Sequence, residues 1–372
     1  MAKNHKKFTI LLLSAPIGAG HRLAAEALLE HLQKNSQVQV LHGNIFDFFP
    51  HCLGESFLKC YLWILGHCPW LYELAYKWGN RESGSLWMRN LLNKLLARLG
   101  KGYLDSIQPD AVLATHATPV GVMSIYKEKY RPQLYLGAVI TDFTIHRWWI
   151  CPRVNTYYLG DEALGKLLPQ EVSFLATGIP LRQAFSDYRR EEVRQEYHWA
   201  EQEKICLLMG GGEGLLPMEE IVAALLSLHN PRLRLVVITG NNEELADKLR
   251  RTYGEQLKVY GFINFVPKLM QGADFLISKA GGLTAAEALA SGLQFFIYKP
   301  LPGQETKNAA FLAEKYGAHI VHTPQQIKER ASELLAKNDQ QLVKNIATQN
   351  KKEAAQTICN HVLATLDKQS FT

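Results

Sequence analysis

Two doubly wound parallel α/β domains are what this sequence predicts, on three observations. Short apolar runs alternate with helical segments along most of the chain, the rhythm of βαβ units rather than of hairpins. Several of those runs stop at glycine-rich turns that open helices. A break at Thr177-Gly178-Ile179-Pro180 divides the alternation into two series, because Pro180 biases the residue before it towards an extended form. At 372 residues the chain has room for two domains with separate cores. The expected layout is a first domain over residues 1–180, a second over 181–345 and a helical tail over 346–372.

The first series opens with an apolar strand at Phe8–Ser14, a turn at Ala15–Gly20 and a helix over Ala24–Gln33. Strands follow at Val38–Leu41, Ala111–Thr115, Leu134–Thr141 and Val172–Ala176. The second series places strands at Ile205–Met209, Arg234–Thr239, Leu257–Tyr260, Asp274–Ser278 and Gln294–Tyr298, with helices such as Met218–Leu228 and Glu243–Arg251 between them. The Lys/Gln/Asn-rich stretch from Ala336 to Thr372 reads as solvated helix. One segment, residues 48–102, breaks the rhythm. It holds Trp63, Trp70, Trp78 and Trp87, and its basic residues outnumber its acids. Aromatics interleaved with Lys and Arg suit a peripheral, anionic membrane surface; the same composition also serves inserted helices that pack on the first domain.

Composition excludes several classes. Hydrophobic residues at 47% and charged residues at 20% describe a folded chain. The formal charge of +6 comes without a long Lys/Arg run, so no nucleic-acid partner is expected. The six cysteines form no CxxC pair. Cys52, Cys60 and Cys68 recur every eight residues, which advances a helix by about 80° beyond two turns, so they share no face and read as free thiols rather than a zinc site. Lys3, Lys6 and Lys7 before Phe8–Leu13 imitate a short signal peptide, but that run feeds a glycine turn and reads as a buried strand. No stretch approaches the roughly 20 apolar residues of a membrane span.

The richest chemistry lies between Ser278 and Asn308. An apolar strand ends at Gly281-Gly282, a helix opens with Leu283-Thr284, and an acid, Glu287, follows about one turn in. After the next strand comes Pro302-Gly303-Gln304-Glu305. Free N–H groups and the positive end of a helix attract a diphosphate. Paired glycines let the backbone approach it, Glu287 can accept from ribose hydroxyls, and Gln304 with Glu305 can reach a hexose. An ordinary αβ repeat would share the glycines; the acid and the Gln-Glu pair at these offsets favour a sugar-nucleotide donor site. Upstream, Gly211-Gly212-Glu213-Gly214 ends a strand and precedes a helix, an order that makes a nest of N–H groups for an anion. Phe262, after Gly261, can flank a nucleotide base.

In the first series, Gly18-Ala19-Gly20-His21 resembles a dinucleotide fingerprint, but Leu23 stands where its last glycine belongs and no acid closes the second strand, so an NAD site is disfavoured. His21 instead opens a helix at the mouth of a parallel sheet, where a neutral imidazole can take a proton from an attacking hydroxyl. Asp142 follows a strand and either orients His21 or is itself the base. Gly20, His116, His146 and Trp148 are placed around the acceptor. No metal-ligand spacing links the histidines, and no metal or cofactor is expected, a sugar nucleotide being a substrate.

Together these residues resemble the family of monogalactosyldiacylglycerol synthases and processive diacylglycerol glucosyltransferases and, more distantly, the N-acetylglucosaminyltransferase of lipid II synthesis. The likeness runs from Phe8 to about Gly317 and is carried by Gly18–His21, Thr141-Asp142, Gly210–Gly214, Gly281–Glu287 and Pro302–Asn308. It implies two Rossmann-like domains facing a cleft (the GT-B fold), metal-independent inverting transfer and monotopic attachment through the first domain. It makes His21 the catalytic histidine, Glu287 the ribose ligand and Gln304 with Glu305 the sugar ligands. The expected activity is transfer of a hexose from a UDP-sugar to a lipid hydroxyl, chiefly that of diacylglycerol, by a cytoplasmic protein on the inner face of the cell membrane. The alternatives are a UDP-N-acetylglucosamine-dependent transferase with a polyprenyl or lipid A-type acceptor, and a sugar-nucleotide-binding protein without catalysis.

Overall fold

Strands of a parallel sheet covered on both faces need apolar side chains on both sides. The first strand has them: Ile10, Leu11, Leu12 and Leu13 are all fully buried. The computed structural model describes residues 7–15, 19–45, 86–211, 216–336 and 353–370. Among these, twelve strands form two six-stranded sheets, each parallel throughout. The chain divides into two compact units, Met1–Arg182 with Lys352–Thr372, and Gln183–Lys351.

In the first unit the order is β2-β1-β3-β4-β5-β6, built from β1 (Phe8–Ser14), β2 (Val38–Asn44), β3 (Ala111–Ala114), β4 (Tyr135–Val139), β5 (Thr156–Leu159) and β6 (Phe174–Ala176). The register sets Leu11 beside Leu41 on one side and Val112 on the other. Strand order therefore reverses at β1, and the crevice between the ends of β1 and β3 is a place for ligands. The first helix, α1 (Ala19–Leu32), starts earlier than its apolar pattern suggested, so His21 lies inside its first turn.

Helix α2 (Leu86–Ile107) follows the residues of the Trp-rich segment that lie outside the described set (46–85). Its inner face buries Arg89, Asn93, Leu96, Ala97, Gly100 and Leu104. It packs on α3 (Ala117–Tyr130) at Gly121, where a Cβ would lie 2.1 Å from Asn93 Nδ2, so any larger residue would displace the Asn93 side chain. Its outer face is unusual for a soluble helix: Trp87 is 63% exposed, Leu91 60%, Leu95 53% and Leu99 52%. No helix among the described residues is long and apolar enough to cross a membrane.

The second unit begins with two short helices, α4 (Ala184–Asp187) and α5 (Arg190–Glu196). Its sheet has the order β12-β11-β10-β7-β8-β9, from β7 (Lys204–Met209), β8 (Leu233–Ile238), β9 (Leu257–Tyr260), β10 (Phe275–Ser278), β11 (Gln294–Tyr298) and β12 (His319–Val321). Here the reversal falls between β7 and β10. Asp274 pins the lower ends of these two strands by accepting from Ile205 N at 2.7 Å and pairing with Arg190 and Arg194. The helices are α6 (Met218–Leu226), α7 (Glu243–Tyr253), α8 (Val266–Gly272), α9 (Gly282–Ala290), α10 (Gln304–Tyr316) and α11 (Pro324–Ala336).

Two strands, β5 and β12, were absent from the sequence reading. In β5, Tyr157 and Tyr158 look amphipathic, yet both are fully buried, and the Tyr158 hydroxyl lies 2.8 Å from that of Tyr135. The tail needs a correction. Helix α12 (Ala354–Ser370) is not a solvated helix. Ala354, Ile358, Val362 and Leu366 recur every fourth residue and are buried, the last three packed with Ile10, Leu12, Leu28 and Val38 of the first unit. Each of those three side chains contributes about 1.5–3 kcal/mol when fully buried. Near its middle, His361 Nδ1 lies 2.8 Å from the Tyr158 hydroxyl.

Candidate functional site

The first cluster gathers at the C-terminal ends of β1, β3 and β4, which neighbour one another in the sheet. His21 comes from α1, Thr115 and His116 follow β3, and Thr141 and Asp142 lie just beyond β4. His21 Nδ1 sits 2.7 Å from the Thr115 carbonyl and 2.8 Å from Thr141 Oγ1. A carbonyl oxygen only accepts, so Nδ1 carries the hydrogen, shared with the Thr141 oxygen, and Nε2 keeps its lone pair. Thr115 holds His21 a second time by donating its hydroxyl to the His21 carbonyl at 2.9 Å. Burial pulls the imidazole below the ordinary histidine value, while the Asp142 charge and the Thr115 contact pull it up. The net direction is downward, which favours a neutral ring at neutral pH.

His116 stands edge-on to His21, with ring centroids 4.8 Å apart and planes at 84°. It caps α3: its Nδ1 accepts from Thr118 N at 3.2 Å, so its hydrogen is on Nε2. Burial and the neighbouring His21 push it well below the ordinary value. The two rings are thus neutral and in opposite tautomers, one offering a lone pair at Nε2 and the other a donor. Asp142 is buried and acts on His21 through its charge; the contacts that orient the ring come from Thr115 and Thr141. Gly20 is half-buried beside His21. His146 caps the short turn Arg147–Trp149, accepting from Trp148 N at 3.2 Å, and Trp148 Nε1 is buried without an acceptor among the described residues. Arg89 of α2 clamps this turn, donating to the carbonyls of Arg147 and Ile150 at 3.3 and 3.1 Å.

The second cluster lies where β7 and β10 end. Ser278 Oγ donates to the Met209 carbonyl at 2.8 Å, locking the two ends together. Gly211 adopts a φ of 76°, a left-handed conformation that glycine takes without strain. Gly212, Glu213 and Gly214 lie outside the described residues. Gly281 caps α9 with no side-chain hydrogen bond, and a Cβ there would meet only Thr284 Oγ1, at 3.9 Å, so the space before the helix N-terminus is open. Gly282 and Leu283 form the first turn of α9, Thr284 is half-buried, and Glu287 is buried in the next turn. Gln304 and Glu305 open α10. Glu305 Oε2 accepts from Leu301 N at 3.0 Å, and its Oε1 lies 3.6 Å from Lys279 Nζ. Asn308 Nδ2 donates to the Ala280 carbonyl at 3.0 Å, tying α10 to the glycine turn. Phe262 stands 67% exposed past the end of β9.

Among the described residues, no three His, Cys, Asp or Glu side chains are grouped as a metal would need. Thr115 and Lys279 have no role in the sequence reading, and Thr141 and Asn308 enter it only as parts of the motifs Thr141-Asp142 and Pro302–Asn308, without a role of their own. The two threonines had a usable signal, since each ends a strand directly before a polar residue of the site.

Residues 21–180 match the model of the monogalactosyldiacylglycerol synthase family, and residues 205–362 match that of the glycosyltransferase family 28 C-terminal domain. The chain is 28% identical to the processive diacylglycerol beta-glucosyltransferase of Bacillus pumilus, covering 96% of this chain and 95% of that one. The corresponding figures for the Bacillus subtilis protein of the same name are 29%, 95% and 94%. Among solved structures, MurG of Acinetobacter baumannii superposes with a TM-score of 0.63 at 17% identity, over 96% of this chain and 99% of that one. UDP-GlcNAc 2-epimerase from Neisseria meningitidis, bound to UDP-GlcNAc, does so with a TM-score of 0.60 at 12% identity, over 96% and 100%. Two parallel six-stranded sheets flanked by helices make the architecture that of the GT-B glycosyltransferases. On its sequence matches, the chain carries a region of the monogalactosyldiacylglycerol synthase family followed by a glycosyltransferase family 28 C-terminal domain, and it is similar to the processive diacylglycerol glucosyltransferases over nearly its whole length.

Proposed function

We propose that this protein is a glycosyltransferase that moves a hexose from a UDP-sugar to the hydroxyl of diacylglycerol, inverting the anomeric centre without a metal ion. The observation that carries the reading is the contact of His21 Nδ1 with the Thr115 carbonyl, which leaves Nε2 as the basic atom of a neutral ring. The names of the Bacillus relatives support the acceptor, and a UDP-GlcNAc-bound neighbour of the same fold supports the donor class.

In this scheme the lipid oxygen attacks the anomeric carbon from the face opposite the diphosphate. The C–O bond to the β-phosphate breaks as the new glycosidic bond forms, its electron pair leaving with UDP. His21 Nε2 takes the hydroxyl proton, and the Asp142 charge stabilises the imidazolium that results. The donor lies in the second unit. Its diphosphate is set at the N-terminus of α9 and at Gly211 with the Gly212, Glu213 and Gly214 that follow it in sequence, with ribose at Glu287 and the hexose at Gln304 and Glu305.

The lipid arrives from an anionic membrane surface. The outward face of α2 supports that route, since Trp87, Leu91, Leu95 and Leu99 are exposed together with the basic Lys94 and Arg98. The test is product analysis by mass spectrometry, with purified protein, a panel of UDP-sugars, and vesicles carrying diacylglycerol, a polyprenyl phosphate or a lipid A precursor. A glycosylated diacylglycerol is expected, at a rate that EDTA leaves unchanged. Replacing Leu91 and Leu95 with Glu is expected to abolish co-sedimentation with anionic vesicles. Absence of UDP release with every acceptor would overturn the reading, and a product on another lipid would overturn the acceptor.

A further inference from the structure

Lys279 has no part in the site as read from the sequence, yet its place is specific. It follows β10 and immediately precedes the turn that opens α9, on the line where the strand order of the second sheet reverses. Its side chain reaches across that line, because Cε lies 3.6 Å from the position a Cβ on Gly211 would take, and Gly211 follows β7. Larger side chains at Gly211 would thus contend with the lysine stem as well as with the left-handed backbone. The ammonium is also partly withdrawn from water, the Lys279 side chain being 24% exposed and that of Glu305 19%.

The pairing with Glu305 is loose. At 3.6 Å, Nζ is well beyond the 2.7–2.9 Å of a charge-assisted hydrogen bond. An ammonium has three donors, and among the described residues none of them meets an acceptor at hydrogen-bond distance. The carboxylate, by contrast, is anchored by Leu301 N through its other oxygen. That anchor does not involve Lys279.

We propose that Lys279 exchanges partners when donor binds: its ammonium leaves Glu305 for the diphosphate, and Glu305 Oε1, relieved of the cation, accepts from a hydroxyl of the hexose. This rests on the donor assignment proposed above and adds to it a link between holding the phosphates and reading the sugar. As the bond to the anomeric carbon breaks, its electron pair becomes negative charge on the β-phosphate oxygen. Lys279 meets that charge by donating a hydrogen bond, with no proton transferred. A diphosphate carries more negative charge than one carboxylate and offers several oxygens, so it competes successfully for the same ammonium.

The experiment is calorimetric titration of the full chain and its variants with UDP and, separately, with uridine. Lys279→Met is expected to weaken UDP about 10- to 100-fold, the range for losing a hydrogen bond to a charged group, and to leave uridine unchanged. Glu305→Gln is expected to tighten UDP several-fold, because the competing carboxylate is gone, while lowering kcat/KM for the UDP-sugar. If the wild type binds UDP and Lys279→Met binds it equally well, or loses uridine in parallel, the role of Lys279 is overturned. Unchanged UDP affinity in Glu305→Gln overturns the exchange, and that variant reports even if Lys279→Met does not fold. A wild type that binds no UDP overturns the donor assignment itself, and the exchange with it.

Discussion

Both sheets are six-stranded and parallel with one reversal of strand order, but they equip their reversal points in opposite ways. At the ends of β1 and β3 the crevice is furnished with side chains: two neutral imidazoles in opposite tautomers, His21 held by the buried Thr115 and Thr141 and His116 by the Thr118 N–H, with the Asp142 carboxylate acting on His21. At the ends of β7 and β10 the furnishing is mostly backbone: glycines, an uncapped helix N-terminus and a single ammonium. The first arrangement suits proton movement, which needs groups near neutrality in a dry setting. The second suits an anion whose charge grows as it departs. Under the proposed function one scaffold serves both tasks, and what separates them is which atoms line the strand ends.

Breaking the first cluster alone gives the largest expected effect. His21→Ala should lower the single-turnover rate by about 10²- to 10⁴-fold, the usual contribution of a general base, with UDP affinity unchanged. A parallel loss of UDP affinity would show that the two clusters are not chemically separate. Thr141→Val, which keeps the shape but removes the oxygen beside Nδ1, is expected to cost about 1 kcal/mol, a factor of five to ten in kcat. If kcat does not move, Thr115 alone holds the tautomer.

The smallest effect is the most diagnostic. His21 must be neutral to accept a proton, and burial lowers its pKa below the ordinary value of about 6.5. Activity should therefore be complete above that value and fall as the pH drops through the lowered pKa. Asp142 raises the pKa of His21, so Asp142→Asn should move the acid limb to still lower pH. Were Asp142 the base, the same substitution would abolish turnover at every pH. A pH–rate profile of both proteins separates the two outcomes.

Much of this was legible in the sequence wherever one residue type has one job. The unbroken run Phe8–Leu13 announces a buried parallel strand, and the glycines before Leu283 announce a turn that opens a helix. Legibility failed where a residue's role depends on what the fold brings to it. Thr115 and Thr141 look like ordinary ends of strands until β1, β3 and β4 are set side by side with His21 above them. Lys279 reads as any surface lysine until the sheet order lays it against Gly211 and Glu305. The tail misled for a compositional reason. Its polar residues outnumber an apolar line, Ala354, Ile358, Val362 and Leu366, that shows only at a spacing of four.

That last helix changes how the chain can be cut. Because residues after 351 return to the first unit, the second unit is topologically an insertion, entered at residue 183 and left at 351. A stop codon after α11, which looks like trimming the second unit, would strip a wall from the core of the first and expose Ile10, Leu12 and Leu28. To express the first unit alone, α12 must be spliced back through a linker. The second unit can be excised as one continuous stretch of chain.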